Sequence, residues 1–317
     1  MSRRRPPLPA LLVACLAVGG CQRAVSDVAP TPAPFAAPVE VARTGQVDDP
    51  ALPEISGLAV SRRHPGRLWA VNDSGNRPRL HLLGTDGGRL ASLDVAGVEN
   101  IDWEDLAAFE LDGTPYLLIA DIGDNPGRRS HVHLHVVEEP VVPRDGEVLR
   151  PVASLAFRYP DGPRDAEGVA VDAARGAILV LTKREAQPGF YRLPLRLDTP
   201  GETLVAEPVG RFDNPEPRFD PPGGPATRSL FGASPTAIDL DAAGRNLLLL
   251  TYTAIYRLEI ASGASWEEAL ARPFAWLADH PLPQAEALAV APSGDGLYFT
   301  SERLPAPVWR IGLAPDR

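Results

Sequence analysis

Five apolar runs in this sequence each begin on a side-chain oxygen: Ser56, Glu104, Glu167, Thr236 and Glu286. The residues two and four places further on are apolar in every case, from Leu58 and Val60 to Leu288 and Val290. Three of the five are carboxylates. Gathered round one narrow channel, three like charges repel strongly unless they take up protons or a cation sits among them. Hard cations, above all Ca2+, meet that need with about six to eight oxygen ligands, waters included. The expected chemistry is a Ca2+ site on Glu104, Glu167 and Glu286, with Ser56 and Thr236 touching the ion directly or through water. The alternative is that the five residues cap strand starts by bonding backbone amides in a wet, metal-free pore, since perturbed carboxylates mark structural networks as well as sites. On sequence alone both readings stand.

Asp102, Asp105 and Asp165 flank the ring glutamates and are the candidate general bases toward an activated water. Asp73, Asp121, Asp124, Asn125, Lys183, Arg184, Glu302 and Arg303 follow the second apolar run of their units and are candidate ligand contacts. The cations among them suit the phosphate of a substrate, and Lys183 is the one lysine in the chain. For Asp121, Asp124 and Asn125, ordinary turn chemistry is the competing reading. His131, His133 and His135 fall on one side of a strand, a geometry that could bind zinc. Their place on a third strand, away from the channel, makes a polar sheet face the better account. The common nucleophile-elbow, phosphate-loop, dinucleotide and zinc-protease signatures are absent from the sequence.

Positioning these residues falls to a repeat. Five times an alternating run leads through a Gly-containing turn into a second apolar run with a polar end, the first runs being Ser56–Val60, Glu104–Ala108, Glu167–Val171, Thr236–Leu240 and Glu286–Val290. Each pair reads as a β-hairpin with strands buried on both faces. Two further strand candidates follow, as in His131–Val137 and Ala153–Tyr159. Four strands make a propeller blade, so the expected fold is all-β, a five-bladed β-propeller. The last unit lacks one strand after Val308–Gly312. Val39–Arg43 can supply it, closing the ring and removing exposed edges. In an antiparallel hairpin the start of the first strand and the end of the second lie together, which collects the ring and the polar ends on one face. The Pro-rich stretch Asp213–Ala233 reads as a long surface loop.

The 35 prolines and 28 glycines, spread along 317 residues, disfavour long helices. A formal net charge of -10 is the wrong sign for a phosphate-neutralising nucleic-acid binder. Residues 1–20 read as an export signal, with Arg3, Arg4 and Arg5 ahead of the short apolar stretch Leu8–Val18, too short to span a bilayer. Ala17–Cys21 resembles the lipobox of bacterial lipoproteins, which makes Cys21 the expected lipidation site. Leu12–Cys15 is a rival box, and the arginines raise twin-arginine export as an alternative route. Residues 21–38, rich in Ala and Pro, read as a tether, and 39–317 as the propeller domain. Both cysteines lie in the leader region, so the domain has no thiol for a disulfide or a nucleophile. The expectation is an exported monomer held to a membrane surface by its acylated N-terminus, facing the periplasm or the cell exterior.

The ring Ser56, Glu104, Glu167, Thr236 and Glu286 resembles that of the calcium-activated nucleotidases (apyrases), five-bladed propellers that present Ser, Glu, Glu, Ser and Glu to a central calcium. Asn72–Gly75 is similar to their Asp-rich loop, and Thr236 departs from their Ser. The resemblance covers these strand starts. Through Trp103–Ala107, Asp121–Asn125 and Tyr159–Glu167 the chain looks more like exported bacterial propellers of no assigned activity, loosely similar to the phytase-like group. Together these imply a calcium-dependent hydrolase, or binder, of a phosphorylated or otherwise anionic small molecule. The alternative is a non-catalytic binding module for a protein or glycan at the cell envelope.

Overall fold

A computed structural model of the chain describes residues 40–199, 201–213 and 234–313. The segments expected to form the export leader and the tether, Cys21 among them, and positions 214–233 of the stretch expected to form a long loop lie outside the described residues. Strand β1 (Glu40–Val47) comes first. Blade 1 follows as β2 (Ile55–Val60), β3 (Arg67–Asn72), β4 (Arg79–Gly84) and β5 (Arg89–Val95). Blade 2 holds β6 (Trp103–Leu111), β7 (Thr114–Asp121), β8 (Val132–Glu138) and, after the short β9 (Val148–Leu149), β10 (Ala153–Arg158). Blade 3 holds β11 (Ala166–Asp172), β12 (Ala177–Thr182), β13 (Gly189–Pro194) and, after β14 (Leu204–Val205), β15 (Glu207–Arg211). Blade 4 is β16 (Pro235–Leu240), β17 (Asn246–Thr251), β18 (Ala254–Glu259), a one-turn helix α1 (Trp266–Leu270) and β19 (Ala275–Asp279). Blade 5 is β20 (Ala285–Val290), β21 (Gly296–Ser301) and β22 (Ala306–Gly312), completed by β1.

Five sheets, each with four antiparallel strands, thus stand round a common axis in a five-bladed β-propeller. The ends close as the sequence leads one to expect: β1 pairs antiparallel with β22, Glu40 opposite Gly312 and Arg43 opposite Trp309. The first strands of successive blades touch one another in a ring. Being covered on both faces, β2, β11, β16 and β20 are buried at every residue, which is why they read as nearly continuous apolar runs. The core is divided accordingly. Each hydrophobic cluster fills one gap between blades, for example Trp69 and Leu80 against Trp103 and Leu117, or Phe190 and Leu179 against Leu249 and Tyr256.

Two features were not expected. The two-residue strands β9 and β14 pair in parallel with β5 and β10, each laying the connection of the next blade along the outer edge of its predecessor. Helix α1 is held by a reciprocal cap, Ser265 Oγ accepting from the Glu268 amide at 3.1 Å and Glu268 Oε2 from the Ser265 amide at 2.9 Å.

Candidate functional site

In all five blades the first hairpin is irregular at the same place. Ile55 pairs with Asn72 and Gly57 with Val71, so Ser56 is the extra residue of a β-bulge. Glu104, Glu167, Thr236 and Glu286 occupy the corresponding bulges of blades 2 to 5. A bulge bends the strand and re-aims one side chain out of the pleat; here it does so five times. The residue after the bulge is small in four blades (Gly57, Gly168, Ala237 and Ala287) and is Asp105 in blade 2; at Gly57 the next blade presses close, since a Cβ there would come 2.7 Å from the backbone of Asp105 and Leu106.

All five ring residues are buried. One oxygen each of Glu104, Glu167 and Glu286 lie within 4.8 Å of one another, and a second group, Asp73, Asp102 and Glu104, extends the cluster toward the rim. Ser56 Oγ donates to the carbonyl of Trp103 at 2.7 Å, and Thr236 Oγ1 to that of Ala285 at 2.7 Å. Both hydroxyls therefore stitch one blade to the next just before a ring glutamate, and both keep lone pairs free to accept. Burial, with Glu167, Asp73 and Asp102 nearby, holds the Glu104 carboxyl well above its usual range. Burial also lifts Glu167 to about 7, Lys183 pulling it down and Glu286 and Asp165 pushing it up. Glu286 is raised too, by burial first.

A cation from the chain itself enters this cluster. Lys183 Nζ sits 2.9 Å from Glu167 Oε1 and 5.1 Å from the centre of the Tyr252 ring, while the Tyr252 hydroxyl donates to Glu286 Oε1 at 2.8 Å. Tyr252 was not singled out from the sequence; it stands in the polar end of the fourth hairpin, where an aromatic residue among threonines gave the only signal. Gly123 stands within the corresponding polar end of the second hairpin, between Asp121 and Asn125. Its backbone lies so close to the Glu104 and Asp102 carboxylates that a side chain there would collide with both.

The other sequence candidates divide. Asp102 is half-buried, and burial together with Asp73 and Asp165 lifts its carboxyl to about 7. Asp105, expected as a base, is turned into the strands: its oxygens accept from the amides of Leu106 and Val169, both at 2.8 Å. Asp239 does the same in blade 4 toward Leu240 and Val290. Asp165 accepts from the Asp124 amide at 2.8 Å and from Arg184 Nε at 2.6 Å, and Arg184 also reaches Asn125. Asp124 caps the turn at Arg128 and Arg129, and Asp121 pairs with Arg129 at 2.7 Å. These residues bind the blade 2 and blade 3 loops together. Glu302 accepts from Gln284 at 2.7 Å, and the Arg303 side chain is 74% exposed. The histidines line up along blade 2, His131 edge-on to His133 at 5.1 Å and His133 stacked on His135 at 5.8 Å, and His135 bonds Ser154 at 2.9 Å. Among the described residues they form no metal-holding group.

The raised carboxyls set a pH dependence. Glu167, Asp102 and Asp239 titrate near 7 in the fold and near about 4 in an unfolded chain. The folded state therefore binds more protons, and the stability these groups contribute is lost as pH rises through 7. His81, His135 and His280, depressed by burial to about 4, act oppositely and lose stability as pH falls below about 6.5. In EDTA the melting temperature is expected to rise as pH is lowered from 8 to about 6.5. A calorimetric series in which it falls over that interval would refute the assignment.

No protein-family model matches the chain, and no curated protein matches it in sequence. Among solved structures it is similar to hydrazine synthase of Kuenenia stuttgartiensis, at 12% identity and a TM-score of 0.41, over 83% of this chain and 72% of that one. A luciferin-regenerating enzyme is similar at 13% identity and a TM-score of 0.42, over 86% and 96%. A chain of a nidogen/laminin complex is similar at 14% and 0.41, over 79% and 73%. Likenesses at this level carry no argument about activity, and the architecture stands on its own sheet order.

Proposed function

We propose that the channel mouth is a divalent-cation site, for Ca2+ in the first instance, at which a phosphorylated or otherwise anionic small molecule is bound and hydrolysed. One observation carries this reading: five bulges in register bring three buried glutamates to within 4.8 Å of one another. The donor set fits a hard cation, since every candidate ligand is an oxygen and the carboxylates outnumber the one ammonium beside them. Glu104, Glu167 and Glu286 would hold the ion, with Ser56 and Thr236 offering hydroxyl lone pairs. Such an ion would withdraw charge from a phosphoryl oxygen. Asp102, poised near neutral pH at the rim, is the residue to hold and release a proton. The exposed arm of Arg303 can reach an anion from the rim. The reading extends to an exported lipoprotein anchored through Cys21.

A binding module that performs no chemistry is the second reading. It is favoured by the engagement of Asp105 and Asp165 with their neighbours, which leaves Asp102 alone among the candidate bases. The test is thermal denaturation in EDTA and then in calcium. Saturation to about 100 times Kd stabilises by about 2.7 kcal/mol, or roughly 5–10 °C for a domain of this size. Glu104→Gln and Glu167→Gln are expected to abolish that shift, and a wild-type melt insensitive to calcium overturns the site. Asp102→Asn separates the two readings: in a hydrolase it removes turnover on a phosphoester panel and leaves the calcium shift in place.

A further inference from the structure

The single lysine of the chain stands where a cation would bind. Its side chain is only 7% exposed, and its ammonium meets Glu167 directly at 2.9 Å. It meets Glu286 at one remove, through the Tyr252 ring it lies over and the hydroxyl that ring donates. A dication held by ring oxygens at about 2.3–2.6 Å and an ammonium 2.9 Å from one of those oxygens would stand a few ångströms apart. In a buried pocket their repulsion excludes joint occupancy. The lysine also has somewhere to go, for its flexible four-carbon stem leads back to a strand end at the rim of the mouth.

We propose that the Lys183 ammonium is the resident counter-ion of the glutamate ring, and that a divalent cation enters by expelling it toward the anion-binding side of the mouth. The inference rests on the cation reading above and adds an order to it: cation first, anion second, because until the cation binds Lys183 is spent on Glu167.

Having one lysine makes the test direct. The full chain is treated with an amine-reactive reagent in EDTA or in calcium, labelling at Lys183 is read by peptide mapping, and calcium binding is followed in parallel by calorimetry. Labelling at Lys183 is expected to be slow in EDTA and at least tenfold faster in saturating calcium. Lys183→Met is expected to bind calcium at least tenfold more tightly than wild type, and Lys183→Arg, which keeps the charge, no more tightly. Calcium binding to the wild type without faster labelling overturns the expulsion and leaves the cation site intact. So does equal affinity in Lys183→Met. Binding by Lys183→Met alone upholds the counter-ion and overturns cation dependence of the natural chain. No binding by either overturns both. If Lys183→Met fails to fold, the labelling of the wild type still decides.

Discussion

Replacing Glu139 by alanine is expected to destabilise the protein by about 3–5 kcal/mol, the effect of breaking a buried charged network from one side. Glu139 directly follows β8 in blade 2 and is completely buried. Its carboxylate gathers four donors from blade 1: Trp69 Nε1 at 2.8 Å, the Arg62 and Arg63 amides at 3.1 Å each, and the Ser61 hydroxyl. Truncation leaves all four without this acceptor, the Ser61 and Trp69 donors buried and the Arg62 and Arg63 amides part-buried, and each buried orphaned donor costs on the order of 1–3 kcal/mol. Ser61 follows the end of β2 opposite Ser56, so the clamp lies at the far end of the blades from the mouth. Glu139→Gln keeps one acceptor and presents an NH2 to donors on the other side; a smaller loss is expected. Urea unfolding should show a lower midpoint with unchanged slope, while the calcium affinity of the folded protein stays as in wild type. A loss under about 1 kcal/mol for the alanine variant would show that the clamp is not what joins blades 1 and 2.

The fold was legible because a propeller repeats its signal. Ser56, Glu104, Glu167, Thr236 and Glu286 each precede a strand with both faces covered, and five copies of one weak pattern fix a register that one copy does not. The closing strand was legible for the converse reason, since blade 5 was one strand short and edges are costly to leave open. What escaped depends on partners distant in sequence. A bulge is a mismatch between two strands, one residue facing two, and cannot be seen in either alone. The parallel pairs of β9 and β14 are two residues long and have no period to show. Helix α1 is too short for helical periodicity, although Ser265 and Glu268 stood at capping-box spacing. At the mouth, the hairpin pairing of Ala166 with Thr182 places Lys183 and Arg184 beside Glu167 and Asp165. Residue type alone suggested cations free for a ligand; the pairing spends both on carboxylates. Asp105 was misplaced for a similar reason, since nothing local shows that the Val169 amide of the next blade lies within reach.

Gly123→Ala is expected to leave the propeller folded and to weaken the proposed calcium binding by at least a hundredfold. The reasoning turns on what the new methyl would strike. A Cβ at this position would lie 2.5 Å from Asp102 Oδ2 and closer still to Glu104 Oε1. Both atoms are the far ends of side chains with rotatable bonds, so they can yield where backbone could not. Gly123 has no positive φ for alanine to strain, and its amide can still donate to the Asp102 carbonyl, 3.1 Å away. Overpacking of this kind costs about 1–3 kcal/mol of stability, well short of unfolding a domain of this size. The carboxylates, however, can yield only by leaving the positions that bring Glu104 within 4.8 Å of Glu167 and Glu286. Cation affinity depends on those oxygens converging, so the site is lost while the fold is kept. Calorimetric calcium titration beside a circular-dichroism melt separates the two effects. Wild-type affinity in a folded Gly123→Ala protein would mean that Glu104 takes no part in holding the ion.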